Sequence, residues 1–284
     1  MKRYNNLDFC KSFAAILIVF HHYQQEAGVI FSGINFFEGN FYFGYLVELF
    51  FMISGFLMAV SNKGGKTILQ KLKGKIIRIY PGAMLACSAS LLVVYAGFYL
   101  TGDWVDKSVE YTNVLTIISS YLLIFSGWFF DIGLGVNNPT WYLCVLLLCY
   151  IIFYVAEWVE KKFSISKHII FICVILVSFC GMYFNKDLPW FFTSQNQRGY
   201  TCFFIGVLLY DYFVKRLSDY MKKTMLVVLF ILYVVGVWYR GINSWEILSI
   251  FVYPAILCLL VYIKQLPDKY AILGTTSYEV YLWH

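Results

Sequence analysis

Mostly apolar stretches recur along the whole chain, near residues 7–27, 41–60, 76–100, 113–130, 139–156, 167–185, 199–213, 224–240, 245–263 and from 271 onward. That repetition decides what the chain can fold into. A hydrocarbon layer about 30 Å thick is crossed by a helix of roughly 20 apolar residues, because the backbone in lipid must satisfy its own hydrogen bonds. The chain is therefore expected to be all-α: a polytopic transmembrane helix bundle of about ten hydrophobic segments, one membrane domain over residues 1–284. The last stretch offers only about 14 residues before His284, too few to span, so a final helix cut short is expected. Composition agrees. Charged residues make up 13% of the chain, against about a quarter in soluble domains.

Charge placement gives an orientation. The net charge of +6 is not a nucleic-acid signal, since the basic residues sit in short clusters between apolar runs, as cytoplasmic membrane loops do. With the N-terminus cytoplasmic and segment 113–130 not fully crossing, 18 of the 22 Lys and Arg residues fall inside, Lys2, Lys63 and Lys66 among them. Lys107, Lys186, Arg198 and Arg240 are left outside. A complete crossing by 113–130 flips every later loop and nearly evens the split, which the positive-inside rule disfavours. Ser119, Ser120, Ser126 and Gly127 in that segment suit a re-entrant or internally packed helix. Asp8 inside the first apolar stretch argues against a removable signal peptide. The eight cysteines form no CxxC pair, so no metal site or disulfide framework is expected, and they read as core-packing thiols.

Ionisable residues inside apolar segments are costly and therefore informative. In LDFCKSFAAILIVFHHY, residues Asp8, Lys11 and His22 fall within an arc of about 60° on a helix, with His22 roughly 21 Å beyond Asp8. Glu48 is the ionisable residue of the second stretch and comes to a similar depth, roughly 10 Å below the outer surface. Lys75 and Arg78, three residues apart, share a face at the inner boundary. A basic inner layer for phosphates and a His/Glu layer for proton transfer are thus expected. Each residue also has a plainer reading: Lys75 and Arg78 as snorkelling anchors, Asp8 as a cap or partner of Lys11, Ser54 and Gly55 as small packing residues, Trp141 as part of an aromatic belt. His21, a lone interfacial imidazole, reads as structural.

Together these blocks resemble the membrane acyltransferase family 3, whose members acylate hydroxyls of surface polysaccharides and related acceptors. LDFCKSFAAILIVFHH resembles the family's first helix and VELFFMISGFLMA its second. KGKIIRIYP resembles the basic motif before its third helix, and LGTTSYEVYLWH a late block that brings in Tyr278 and His284. The resemblance implies a catalytic role for His22, as general base on the acceptor hydroxyl or as transient carrier of the acyl group, and the matched depth adds Glu48 as the carboxylate expected to orient it. It further implies donor binding by Lys11, Lys75 and Arg78, and supporting roles for Asp8, Ser54, Trp141, Tyr278 and His284. Two departures stand out. Lys75 replaces the first arginine of the basic motif, and Leu146 and Leu147 occupy positions where relatives often carry an acidic pair.

The implied activity is O-acyl transfer, most simply O-acetyl transfer, from cytoplasmic acyl-coenzyme A (acetyl-CoA) to a glycan or lipid-linked saccharide. No permanently bound cofactor, metal or nucleic-acid partner is expected, and the setting is a bacterial inner membrane with membrane lipids as surroundings. The rival class is a secondary transporter with a buried His/Glu proton relay; its matched broken helices and inverted repeats are not evident in the sequence. A purely structural membrane protein has no need for two polar layers. The orientation is checked by impermeant thiol labelling of single cysteines placed in 157–167 and 213–223 of a cysteine-free chain. Both loops are expected to be protected from outside the cell, and labelling of either one overturns the arrangement.

Overall fold

A computed structural model describes residues 3–29, 33–37, 39, 41–62, 65, 67–104, 110–129, 135–186, 188, 190–241 and 244–284. Lys2, Lys63, Lys66 and Lys107, which entered the charge count, lie outside these residues. The regular elements are helical. They run α1 (Asn5–Ala27), α2 (Leu46–Ser61), α3 (Ile68–Thr101), α4 (Val114–Leu122), α5 (Trp141–Phe163), α6 (Lys167–Tyr183), α7 (Ser194–Leu209), α8 (Asp219–Arg240), α9 (Trp245–Ile247), α10 (Tyr253–Tyr262) and α11 (Ala271–Trp283). Short 3-10 turns precede α2, α5 and α11, and π-helical turns follow α7 and join α9 to α10.

Five helical stretches among the described residues are long and apolar enough to cross a membrane: Phe43–Ser61, Ile68–Thr101, Asn138–Phe163, Asp219–Arg240 and Trp245–Tyr262. None of α8's residues is buried, and Val227, Val228, Phe230, Ile231, Val234, Val235 and Trp238 are exposed on it. Such a surface is stable against lipid tails, not water. The chain thus has the all-α fold of a multi-pass membrane protein. The other apolar stretches are helices too, but α1 is more polar, and α6, α7, α11 and α4 are shorter. At nine residues α4 is only about 14 Å long and cannot span. It ends at Leu123 in the left-handed conformation, and Ser119, Ser120 and Ser126 are buried. Ser120 accepts a hydrogen bond from the Val136 backbone at 3.0 Å, so these hydroxyls serve an internally packed segment.

Among the described residues, two prolines fall in α-helices. Pro81 lies inside α3, which opens with a capping box from Thr67 and Gln70. Pro254 opens α10 directly after a π-helical turn, Leu248–Val252, a local widening that accommodates the ring and its missing N–H. The cysteines are free. Cys87, Cys144, Cys149, Cys202 and Cys258 are buried as core thiols, but Cys173 and Cys180 lie on the exposed face of α6 and do not fill a core, contrary to the expectation for them.

The chain divides into two compact units, residues 1–62, 201–282 and 284 forming one, and 63–200 with 283 the other. In the first unit α1 packs on α2 and α10, and α10 on α8. The buried side chains of Asn5 and Asn6 tie the start of α1 to the end of α10: Asn5 donates to Leu266 O at 2.8 Å, Asn6 to Leu260 O at 2.9 Å, and Leu266 N–H donates back to Asn6 at 2.9 Å. These bonds satisfy backbone groups that a helix end leaves open. Small residues bring α2 and α7 together. A side chain on Gly55 would collide with the carbonyl of Phe203, and one on Gly206 with that of Met52. The packing reading of Gly55 is correct, and its counterpart Gly206 carried no local signal. In the second unit α5 packs on α3 and α6. There Glu157 bridges Lys71 at 3.2 Å and Lys167 at 3.5 Å.

Gly206→Leu is expected to destabilise the protein by several kcal/mol, beyond the usual 1–3 kcal/mol of overpacking, because backbone must move. Thermal unfolding in detergent checks this; an unchanged midpoint contradicts the close α2–α7 approach.

Candidate active site

One face of α1 meets α11, and that face carries the residues grouped by spacing. Asp8 lies against Gly274, where any side chain would strike the carboxylate. Ser12 donates to the backbone carbonyl of Leu273. At the far end of α1 the His22 and His284 rings stack, centroids 5.1 Å apart and 26° from parallel. Residues 8, 12 and 22 fall on one stripe at 100° per residue, so a single partner helix can touch all three.

The two adjacent histidines do different work. His21 is buried, and its Nδ1–H donates to Phe36 O at 2.9 Å. Gln24 beside it accepts from the backbone N–H groups of Phe36 and Phe37. These bonds hold residues 34–37 against α1, which makes His21 structural. His22 points elsewhere and remains partly accessible. Its Nδ1 pairs with Gln25 Oε1 at 3.1 Å, while among the described residues its Nε2 makes no hydrogen bond. In the tautomer whose Nδ1–H donates to that amide oxygen, Nε2 keeps the lone pair. Gln25 was not anticipated, although it follows His22 by three residues, a helical-neighbour spacing.

The expected pairing of His22 with Glu48 does not form. Glu48, in the first turn of α2, is fully buried, and its Oε1 accepts from the indole N–H of Trp245 at 2.9 Å. The spacing argument matched depths but carried no information on facing, and the indole 197 residues away occupies the carboxylate. Gln25 takes the orienting place that Glu48 was expected to fill.

The cationic candidates also separate. Lys11 lies 3.4 Å from Asp8, which Arg3 also reaches at 3.1 Å, so one carboxylate is shared by two cations. In the second unit Lys75 lies over the ring of Tyr150 at 5.1 Å. Neither Lys75 nor Arg78 has a carboxylate within ion-pair range among the described residues, and Arg78 is exposed. Arg198 lies over the Trp141 ring at 5.2 Å. Ser54 and Tyr278 are partly buried on α2 and α11. Among the described residues there is no group of three or more His, Cys, Asp or Glu side chains placed to hold a metal.

Replacing Glu48 by Ala would leave the buried indole N–H without this acceptor, at a cost of about 1–3 kcal/mol. Glu48→Gln keeps an acceptor oxygen. Thermal unfolding is expected to show a clear loss for Ala and a much smaller one for Gln; equal losses contradict the Trp245 contact as the reason.

No curated protein and no solved structure matches the chain significantly. Residues 4–284, almost all of it, do match a family model described as an acyltransferase domain. The chain therefore belongs to the membrane acyltransferase family 3.

Proposed function

We propose that the protein is an O-acyltransferase, most simply an O-acetyltransferase, that moves an acyl group from cytoplasmic acyl-CoA to a hydroxyl of a cell-surface or lipid-linked polysaccharide. In this reading it works in a bacterial inner membrane with its N-terminus in the cytoplasm. Beyond family membership, the observation that carries the proposal is the His22 ring, with one nitrogen engaged by Gln25 and the other open. A neutral imidazole in that tautomer is a general base aimed by its own neighbour.

The chemistry follows. Nε2 of His22 takes the proton of the acceptor hydroxyl as the oxygen forms its bond to the thioester carbonyl carbon. The tetrahedral adduct then collapses, the carbon–sulfur bond breaks, and the imidazolium returns its proton to the departing thiolate. The same open nitrogen also suits transient attack on the thioester, but direct transfer needs no second covalent step. Lys75 and Arg78 are the favoured holders of donor phosphates because no carboxylate among the described residues cancels their charge. Lys11 contributes less, since Asp8 already engages it. Glu48 acts at a distance, holding Trp245. Asp8, Ser54, Trp141, Tyr278 and His284 have supporting roles, His284 by flanking the reacting ring.

His22→Ala, purified and shown to be folded, is expected to lose acyl transfer from acetyl-CoA by at least about 100-fold. Near-normal product from that variant overturns the proposal. Arg78→Ala is expected to raise the KM for acetyl-CoA about tenfold with little change in kcat, by loss of a charge-assisted contact. An unchanged KM assigns Arg78 to snorkelling instead.

A further inference from the structure

On α3, Lys71 and Lys75 stand about one helical turn apart, and each lays its ammonium over a tyrosine of α5. Lys71 lies 5.3 Å from the Tyr154 ring centre and Lys75 lies 5.1 Å from that of Tyr150. Residue numbers fall along α5 as they rise along α3, so the helices run antiparallel here. The two lysines differ in one respect. Lys71 also reaches Glu157 at 3.2 Å, and that carboxylate cancels its charge. Lys75 has the ring and no carboxylate, and continuing the register brings Leu147 and Leu146, not an acid, level with Arg78.

An aromatic face attracts a cation through its quadrupole and carries no net charge of its own. A lysine held by a carboxylate is placed and neutralised together, whereas one held by a ring is placed without a neutralising counter-charge. Placement matters for this residue, because the lysine stem is flexible and lacks the fixed fork of arginine. We propose that Tyr150 is a positioning residue of the donor site: its ring face holds the Lys75 ammonium one turn from Arg78, so that both are presented to the phosphates of the acyl donor. The inference rests on the reading of Lys75 and Arg78 as phosphate-binding groups. It requires the ring of Tyr150 and not its hydroxyl.

The test uses the full-length purified enzyme and acetyl-CoA. Tyr150→Phe is expected to keep KM within about twofold of the native value, because the ring face is retained. Tyr150→Leu is expected to raise KM about tenfold while kcat stays within about twofold, a split that a general packing defect does not produce. Phenylalanines of increasing fluorination at position 150 keep the ring's outline while draining its face of negative charge, so they test the same point without a packing change. KM is expected to climb stepwise along that series. A flat series overturns the inference, as does a Tyr150→Phe enzyme with the KM of Tyr150→Leu. If Lys75→Ala and Arg78→Ala also leave KM unchanged, the donor-site reading itself fails; if they raise it while the fluorinated series is flat, only the role of Tyr150 falls.

Discussion

A polar group placed in hydrocarbon has no water to turn to, and every such group has to find a protein partner or remain at a cost of several kcal/mol. Much of the described architecture follows from that constraint. Asn5 and Asn6 answer the open carbonyls beyond α10. Gln24 and His21 answer the peptide groups of residues 34–37. Trp245 answers Glu48, and Ser120 answers the Val136 N–H. Other groups among the described residues are left open, among them Nε2 of His22, both ring nitrogens of His284 beside it, and the charges of Lys75 and Arg78. Chemistry requires groups that can still form a bond, which is why the open nitrogen of His22 carries the proposed reaction.

The positions of the helices were legible because hydropathy and its period are local properties. The first stretch, read as 7–27, is α1, and the stretch 224–240 falls within α8. The serines of 113–130 correctly marked a segment that does not behave as a full span. The functional face of α1 was legible for the same reason, since residues 8, 11 and 22 sit on a stripe that any straight helix must present together. What did not show was azimuth between helices. Glu48 came to a plausible depth, yet its partner is an indole far along the chain. Gly206 and Tyr150 acquire meaning only from the α2–α7 crossing and the α3–α5 register, neither of which is written in a local pattern. Cys173 and Cys180 were read as interior because apolar surroundings in sequence do not distinguish protein from lipid.

The departures from the family's motifs are physically related. A lysine in place of an arginine gives up a rigid two-pronged donor and keeps a point charge on a mobile stem. Leucines in place of an acidic pair remove the carboxylates that would compete for that charge. In this chain both changes concern the same pair of helices, α3 and α5, and the aromatic faces of α5 lie under the α3 lysines. The basic motif is altered, but as an electrostatic device it is coherent.

Neighbouring residues on a helix are separated by about 100° of rotation, so a turn of the helix carries the Cα–Cβ bonds of His21 and His22 round together. Because the carbonyl of Phe36 seizes the first ring, the compass bearing of the second is dictated from outside the helix that bears it. Residues 34–37 therefore bear on which way that face of α1 looks. In the proposed reaction, a change at Gln24 would then be felt as a shift in the bearing of His22 and not as a lost contact to substrate.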